Sequence, residues 1–324
     1  MVTWTASTDN VGVIGYQFFR GDTNLGVTPS PDWLDTGLQA DTAYTYRARA
    51  IDAAGNLSAF SASLTVRTQA NPPPSPGNNC QANPEACGFP GPNSTGYTTT
   101  TTTLNGNQTF STAGARIVNT RINGCVEVRA ANVTFQNVFV NAPAGCFWAV
   151  QNFSTGLQVI DSTITGNGGN NTCIGSSNLS LLRVELTGCE NGLNVSGSVT
   201  VTNSWIHDLV TANGAHTDGA QFNQGASSII FQHNTIIVPT PGSTSAIIMW
   251  DEDGAQNANV TIASNLLAGG TYTLYCGREG AIVNVLINNN RFGTFQYGYA
   301  NDCNDGETWT GNVRDSDGGS IGPQ

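Results

Sequence analysis

Lysine is absent from this chain of 324 residues, and all eleven basic side chains are arginine. Charged residues of either sign make up only 10%, against about 25% in an ordinary globular protein. So little charge excludes a solvated disordered chain and the Lys/Glu-rich surfaces of helical bundles. The 22 acids outnumber the bases, for a net charge of −11. Without a basic stripe, nucleic acid is not an expected partner, because phosphate contacts supply most of that affinity. No apolar run approaches the roughly 18–20 residues that cross a bilayer, and nothing basic and amphipathic points to a membrane surface. No CxxC pair occurs, which disfavours a zinc knuckle or a thioredoxin-type centre.

What is present is glycine (38 residues), many Asn, Thr and Ser, and eight cysteines. An even cysteine count suggests disulfides formed in an oxidising compartment. The opening MVTWTAS has neither a basic start nor an apolar stretch. The expectation is a secreted, extracellular protein trimmed of its export signal.

Residues 71–79, NPPPSPGNN, read as an extended spacer between two sequence textures. Before it, short alternating runs at Val2–Thr5, Val13–Phe19, Thr42–Ile51 and Ser63–Thr68 are separated by turn residues, as in a β-sandwich. Trp4 would fill the core, and Tyr44 follows Leu38-Gln-Ala-Asp-Thr-Ala as a corner tyrosine. The stretches VTWTASTDNVGVIGYQFFRGD and TGLQADTAYTYRARAIDAAGNLS resemble a bacterial fibronectin type III module that lacks its usual first strand. Such modules accompany secreted carbohydrate-active enzymes, so the resemblance implies that context for residues 1–70.

After the spacer, short apolar segments end in a small polar residue, any residue, then Ile, Leu or Phe. FQNVF, VIDSTI, RVEL, VTNSWI, FQHNTI, IASNLL and INNNRF carry this pattern. The polar column falls at Asn137, Ser162, Val184 (a departure), Ser204, Asn234, Asn265 and Asn290, with Asn312 beyond, in steps of 20–31 residues. Short β segments repeating at this period indicate a solenoid whose Asn side chains stack at the turns. The fold class expected is therefore all-β: a right-handed parallel β-helix over residues 80–324, preceded by a fibronectin type III-like β-sandwich. Residues 80–104 would cap its N-terminal end. Cys125/Cys146 and Cys276/Cys303 are each about one coil apart, so each pair can bridge vertical neighbours. Cys173/Cys189 and Cys80/Cys87 are the natural remaining pairs, one set among the 105 connectivities that eight cysteines allow. This half resembles secreted bacterial β-helix proteins of the pectate-lyase and polygalacturonase kind, a fold that hosts many chemistries.

The two long steps, Ser204 to Asn234 and Asn234 to Asn265, hold all three histidines and the densest acids. Extra residues must leave the coil as loops, which commonly carry function. His216-Thr-Asp218-Gly219 resembles the NTDG signature of polygalacturonase-type hydrolases, where the Asp is a catalytic carboxylate. Glycoside hydrolysis needs an acid for the leaving oxygen and a second carboxylate to activate water or attack the sugar. Asp218 with Asp251 or Glu252 would supply that pair, and His216 would hold one of them in the required state. Substrate contacts are expected from His207, Asp208, Gln221, Asn223, Trp250, Tyr275 and Arg278; Trp148 and Tyr272 are further stacking candidates. No resident cofactor is expected, although Asp251-Glu252-Asp253 with Asn223 has the oxygen-rich character of a Ca²⁺ site. His233, beside Asn234, reads as structural.

The first reading is thus a monomeric polysaccharide hydrolase. The second is a polysaccharide lyase, whose base would be His216, a tyrosine or Arg278 because lysine is missing. The third is a glycan-binding solenoid without catalysis.

Overall fold

The computed structural model describes residues 2–35, 38, 42–68, 79–167, 172–211, 216–223, 225–249, 257–277, 282–303 and 306–324. The chain divides into two compact units, Met1–Asn71 and Pro72–Gln324. The expected spacer falls almost wholly outside the described residues.

The first unit is an antiparallel sandwich. Strands Thr23–Thr28, Val13–Arg20, Ala43–Asp52 and Leu64–Arg67 form a four-stranded sheet in that spatial order, and Val2–Thr3 pairs with Asp32–Trp33 in a two-stranded one. The strands at 23–28 and 32–33 escape a reading of alternation, because Gly26 and Pro31 interrupt it. Phe18 is the hub of the core: Trp4, Trp33 and Tyr46 all stack on it with centroids 5.1–5.7 Å away. Such contacts add to the burial of the rings themselves. The Tyr46 hydroxyl donates to Asp35 at 2.7 Å, and Arg20 pairs with the same carboxylate at 3.0 Å. The expected tyrosine corner at Tyr44 faces residues 39–41, which lie outside the described set.

The second unit is the right-handed parallel β-helix. Three parallel sheets of ten, nine and nine strands run along it, and each coil visits them in turn. Sheet I begins at Thr102–Asn105, sheet II at Gln108–Phe110 and sheet III at Arg116–Val118. Ile, Val, Leu and Phe from all three sheets fill one continuous interior.

The tight turn from sheet III to sheet I explains the sequence period. One residue there takes a left-handed conformation: Asn119, Asn137, Asp161, Arg183, Asn203, His233, Ser264 and Asn289, with φ between 47° and 58°. Asn and Asp tolerate this region best among side chains with a Cβ. Gly311 continues the column at φ 67°, where a Cβ would sit 2.2 Å from the Asn289 amide oxygen. The next residue points inward and makes the ladder. Asn234, Asn265 and Asn290 each donate their backbone N–H to the amide oxygen of Asn265, Asn290 and Asn312 respectively, at 2.8–2.9 Å. Their amide nitrogens donate to Val201, Phe231 and Ile262 carbonyls at 2.7–2.9 Å.

Asn137 corrects the expected column by one position. It is a left-handed turn residue bonded to Asn119 and Thr99, and the ladder place belongs to Val138, whose N–H donates to Ser162 Oγ. His233 stands in the same outer column, bonded to Asn203 at 2.6 Å and to the Gly88 carbonyl at 2.9 Å.

The four disulfides join Cys80–Cys87, Cys125–Cys146, Cys173–Cys189 and Cys276–Cys303. The expected N-terminal cap is different from what is found. Residues 80–98 form a strap along the outer face of sheet I, from the last coil to the turn between the second and third. Cys80 and Gln81 donate to Asp315, Thr235 donates to the Pro90 carbonyl, Gly96 donates to the Arg183 carbonyl, and Thr98 donates to Asn137. A Pro/Gly/Thr-rich stretch has no periodicity, so nothing in its sequence distinguishes lying along a sheet from closing an end. At the other end, the tail folds back: Trp309 Nε1 donates to the Ile321 carbonyl and Cys303 N–H to the Gln324 carbonyl.

Candidate active site

The described parts of the two long steps lie at different corners: residues 208–211 leave sheet I after Trp205–His207 and residues 216–217 lead into sheet II, whereas the second step departs from the sheet II strand Ser245–Met249. Asp218 opens the strand Asp218–Phe222, directly opposite Ser245 on the next coil. The strands are parallel, so Met249 lies about 13 Å further along the sheet than Ser245. Trp250, Asp251, Glu252 and Arg278 lie outside the described residues. The preceding coil brings a different carboxylate within reach of Asp218, one residue off its register.

That carboxylate is Glu190. It precedes Asn191, whose side-chain oxygen accepts the Asp218 N–H at 2.8 Å. The Cys173–Cys189 disulfide holds this corner. Ser245 Oγ donates to Asp218 Oδ1 at 2.6 Å. Asp218 is 1% exposed. Burial pushes its carboxyl up to about 7, the Glu190 charge adds to the rise, and the Ser245 hydroxyl and N–H oppose it. Half-buried Glu190 is itself raised by loss of solvation, with the charge of His216 pulling the other way. His216 is exposed, its Nδ1 3.4 Å from Thr244 Oγ1. Two carboxyls and an imidazole thus share one corner, within reach of one another's charge. Coil-by-coil alignment holds the signal that would have found Glu190: Glu190-Asn-Gly occupies the register of Thr217-Asp-Gly.

Tyr275 lies in register with Gln221 two strands away, through Ile248. Its hydroxyl meets Thr271 Oγ1 at 3.0 Å, and Tyr272 packs edge-on at 5.3 Å. Burial raises the Tyr275 phenol, and the charges of Tyr272, Asp218 and Asp302 act in the same sense. Gln221 is half-buried on this strand. Asn223 is already engaged: its amide nitrogen bonds Asn194 Oδ1 and Ser196 Oγ. Trp148 belongs to the same sheet, and its ring covers Gly175, where a Cβ would fall 1.7 Å from the indole.

His207 and Asp208 do not extend that corner, as was expected of them, but belong to sheet I. His207 Nδ1 meets Asp208 at 2.9 Å and Nε2 meets Glu185 at 3.1 Å, and the ring stacks on Trp205 at 3.4 Å. Burial alone would raise Glu185, but the hydrogen bonds from His207 and Thr163 outweigh it and hold the carboxyl below its usual value. Among the described residues, the one cluster spaced like metal ligands is Cys276, Cys303 and Glu307. Its two sulfurs are joined in a disulfide, so they are not thiolate donors.

No family model matches the chain. Its N-terminal region is similar to part of Exoglucanase B of Cellulomonas fimi, 55% identical over 71 residues, which is 22% of this chain and 6% of that protein. It is likewise similar to an Alpha-amylase of Niallia circulans, 51% identical over 69 residues, 21% of this chain and 5% of that one. The matched region is thus a small fraction of either relative's length. Among solved structures, the Yersinia enterocolitica Family 28 Exopolygalacturonase aligns over 98% of this chain and 84% of its own, at 13% identity and a TM-score of 0.31.

Proposed function

We propose that the β-helix is a polysaccharide-degrading glycoside hydrolase in which Asp218 is the proton donor and Glu190 its ionised partner. One observation carries the reading: two carboxyls share a corner, and burial pushes the more enclosed one up to about 7, with the charge of the other adding to the rise. Such a split assigns the roles, because the group that keeps its proton near neutrality is the acid and its ionised neighbour is the base or nucleophile. Asp218 would protonate the glycosidic oxygen. Glu190 would accept a proton from the attacking water, or attack the anomeric carbon itself. His216 favours the ionised form of Glu190. Asp218 shows little surface, and that enclosure keeps its pKa high.

The N-terminal module supports a polysaccharide substrate, since it shares sequence with segments of an exoglucanase and an α-amylase. Four disulfides favour an oxidising, extracellular setting. A lyase is less well served. Its base would have to be His216 or a phenolate, and the raised Tyr275 phenol resists ionisation.

Reducing-sugar release across a panel of neutral and uronate polysaccharides tests the assignment. Asp218→Asn and Glu190→Gln should each lower it by about 10²–10⁴-fold. Full activity in folded forms of either variant refutes the roles, and unsaturated ultraviolet-absorbing products would transfer the reading to a lyase.

A further inference from the structure

A cavity of about 580 Å³ lies between the strap and the outer face of sheet I. That is within the roughly 300–1,000 Å³ typical of small-molecule sites. Trp205 and His207 form its floor on the strand 205–207; Pro84 and Pro92 of the strap and Pro239 form its walls. Asp208 and Asn83 stand at its polar rim.

The walls are held in place before any ligand arrives. Cys80–Cys87 closes the first turn of the strap, and Asp315 accepts the N–H groups of Cys80 and Gln81 at 3.1 and 2.9 Å. The loop carrying Pro92 is pinned by Glu85, whose carboxylate accepts the Asn93 N–H, the Asn93 amide and the Ser94 hydroxyl at 2.7–2.9 Å. The Trp205 ring is fixed against His207, and His207 is fixed by Glu185 and Asp208. A preformed site spends little of its interaction energy on ordering itself.

We propose that this cavity is a second, non-catalytic site that binds a neutral sugar unit. An indole and several proline rings suit the apolar face of a pyranose, while a carboxylate and an amide at the rim suit its hydroxyls. The lining contains no Arg; Asp208 at the rim is its one carboxylate, and a second, Glu185, lies behind His207 outside the lining. That arrangement repels a uronate. The site therefore discriminates by charge; its side chains line the outer face of sheet I, whereas the Glu190–Asp218 corner leads into sheet II, so each assignment is tested by its own substitutions.

The test is calorimetric titration of the full chain carrying Glu190→Gln with cellobiose, maltose, N,N′-diacetylchitobiose and digalacturonate. At least one neutral disaccharide should bind and digalacturonate should not. Adding Ala82→Trp, which fills the cavity from an exposed strap position, should weaken that binding by about tenfold or more. Asp208→Asn should weaken it by about threefold to tenfold. Thermal melting checks that both variants fold. Failure of every neutral disaccharide to bind, equal binding of digalacturonate, or undiminished binding in Ala82→Trp each overturns the proposal. Binding that vanishes with Asp218→Asn but survives Ala82→Trp would place the sugar at the carboxyl corner.

Discussion

Replacing Asn265 by Ala removes a full rung of the interior ladder. Asn265 is 0% exposed. Its amide oxygen accepts the N–H and the side-chain nitrogen of Asn234 at 2.8 and 3.0 Å; its amide nitrogen donates to the Phe231 carbonyl at 2.9 Å and to Asn290 at 3.0 Å. Truncation leaves the Asn234 N–H and the Phe231 carbonyl without those partners in a water-free interior. Each stranded buried group costs about 1–3 kcal/mol, and the Asn234 side chain loses one of its two bonds. The expected loss is therefore about 3–6 kcal/mol, a large share of the stability of any single domain. Urea unfolding followed by tryptophan fluorescence measures it. Ser162→Ala is the control: its hydroxyl accepts one N–H and donates to one carbonyl, so about 1–3 kcal/mol is expected. A loss below about 1 kcal/mol for Asn265→Ala would mean that water or a repacked neighbour satisfies the rung, and the ladder would not be what holds the turns.

Asp315→Ala should free the strap, since it removes the acceptor for Cys80 and Gln81 and the partner of buried Arg291 at 3.3 Å; a loss of about 3–5 kcal/mol and rapid proteolysis within residues 80–98 are expected. Asp218 has a folded pKa of about 7, above the unfolded carboxyl value. Its contribution is fully present below the unfolded pKa and is lost as pH rises towards about 7, so stability should fall over that window. Asp218→Asn should flatten that slope in pH-dependent melting; an unchanged slope would show that another group causes it. Gly175→Ala should displace the Trp148 ring, shift tryptophan fluorescence and cost about 1–3 kcal/mol.

The solenoid is legible because its turn imposes a chemistry on most coils: an inward residue with an amide or hydroxyl (Val138 and Val184 are the exceptions), followed by aliphatic residues. Asn234, Asn265, Asn290 and Asn312 announce themselves at that position. Asn137 misleads because the adjoining left-handed position also selects Asn, so composition cannot tell the two columns apart. Two of the four disulfides, Cys125–Cys146 and Cys276–Cys303, follow from coil spacing. Glu190 does not announce itself, because its partnership with Asp218 exists only after coils of unequal length are superposed. The strap is the least legible part. Its position depends on single contacts to Asp315, Thr235 and Asn137, scattered over 178 residues of sequence (137 to 315), and none of them leaves a periodic trace.

Because residues 80–98 touch the last coil at one end and Asn137, between the second and third coils, at the other, they act as a ruler for the stack. Duplicating one coil would lengthen the helix by about 4.8 Å while the ruler kept its length. Asp315 and Asn137 could no longer both be reached. Unlike an open repeat array, which can gain or lose units one at a time, this scaffold has its coil number locked, and changing it demands a matching change some two hundred residues away.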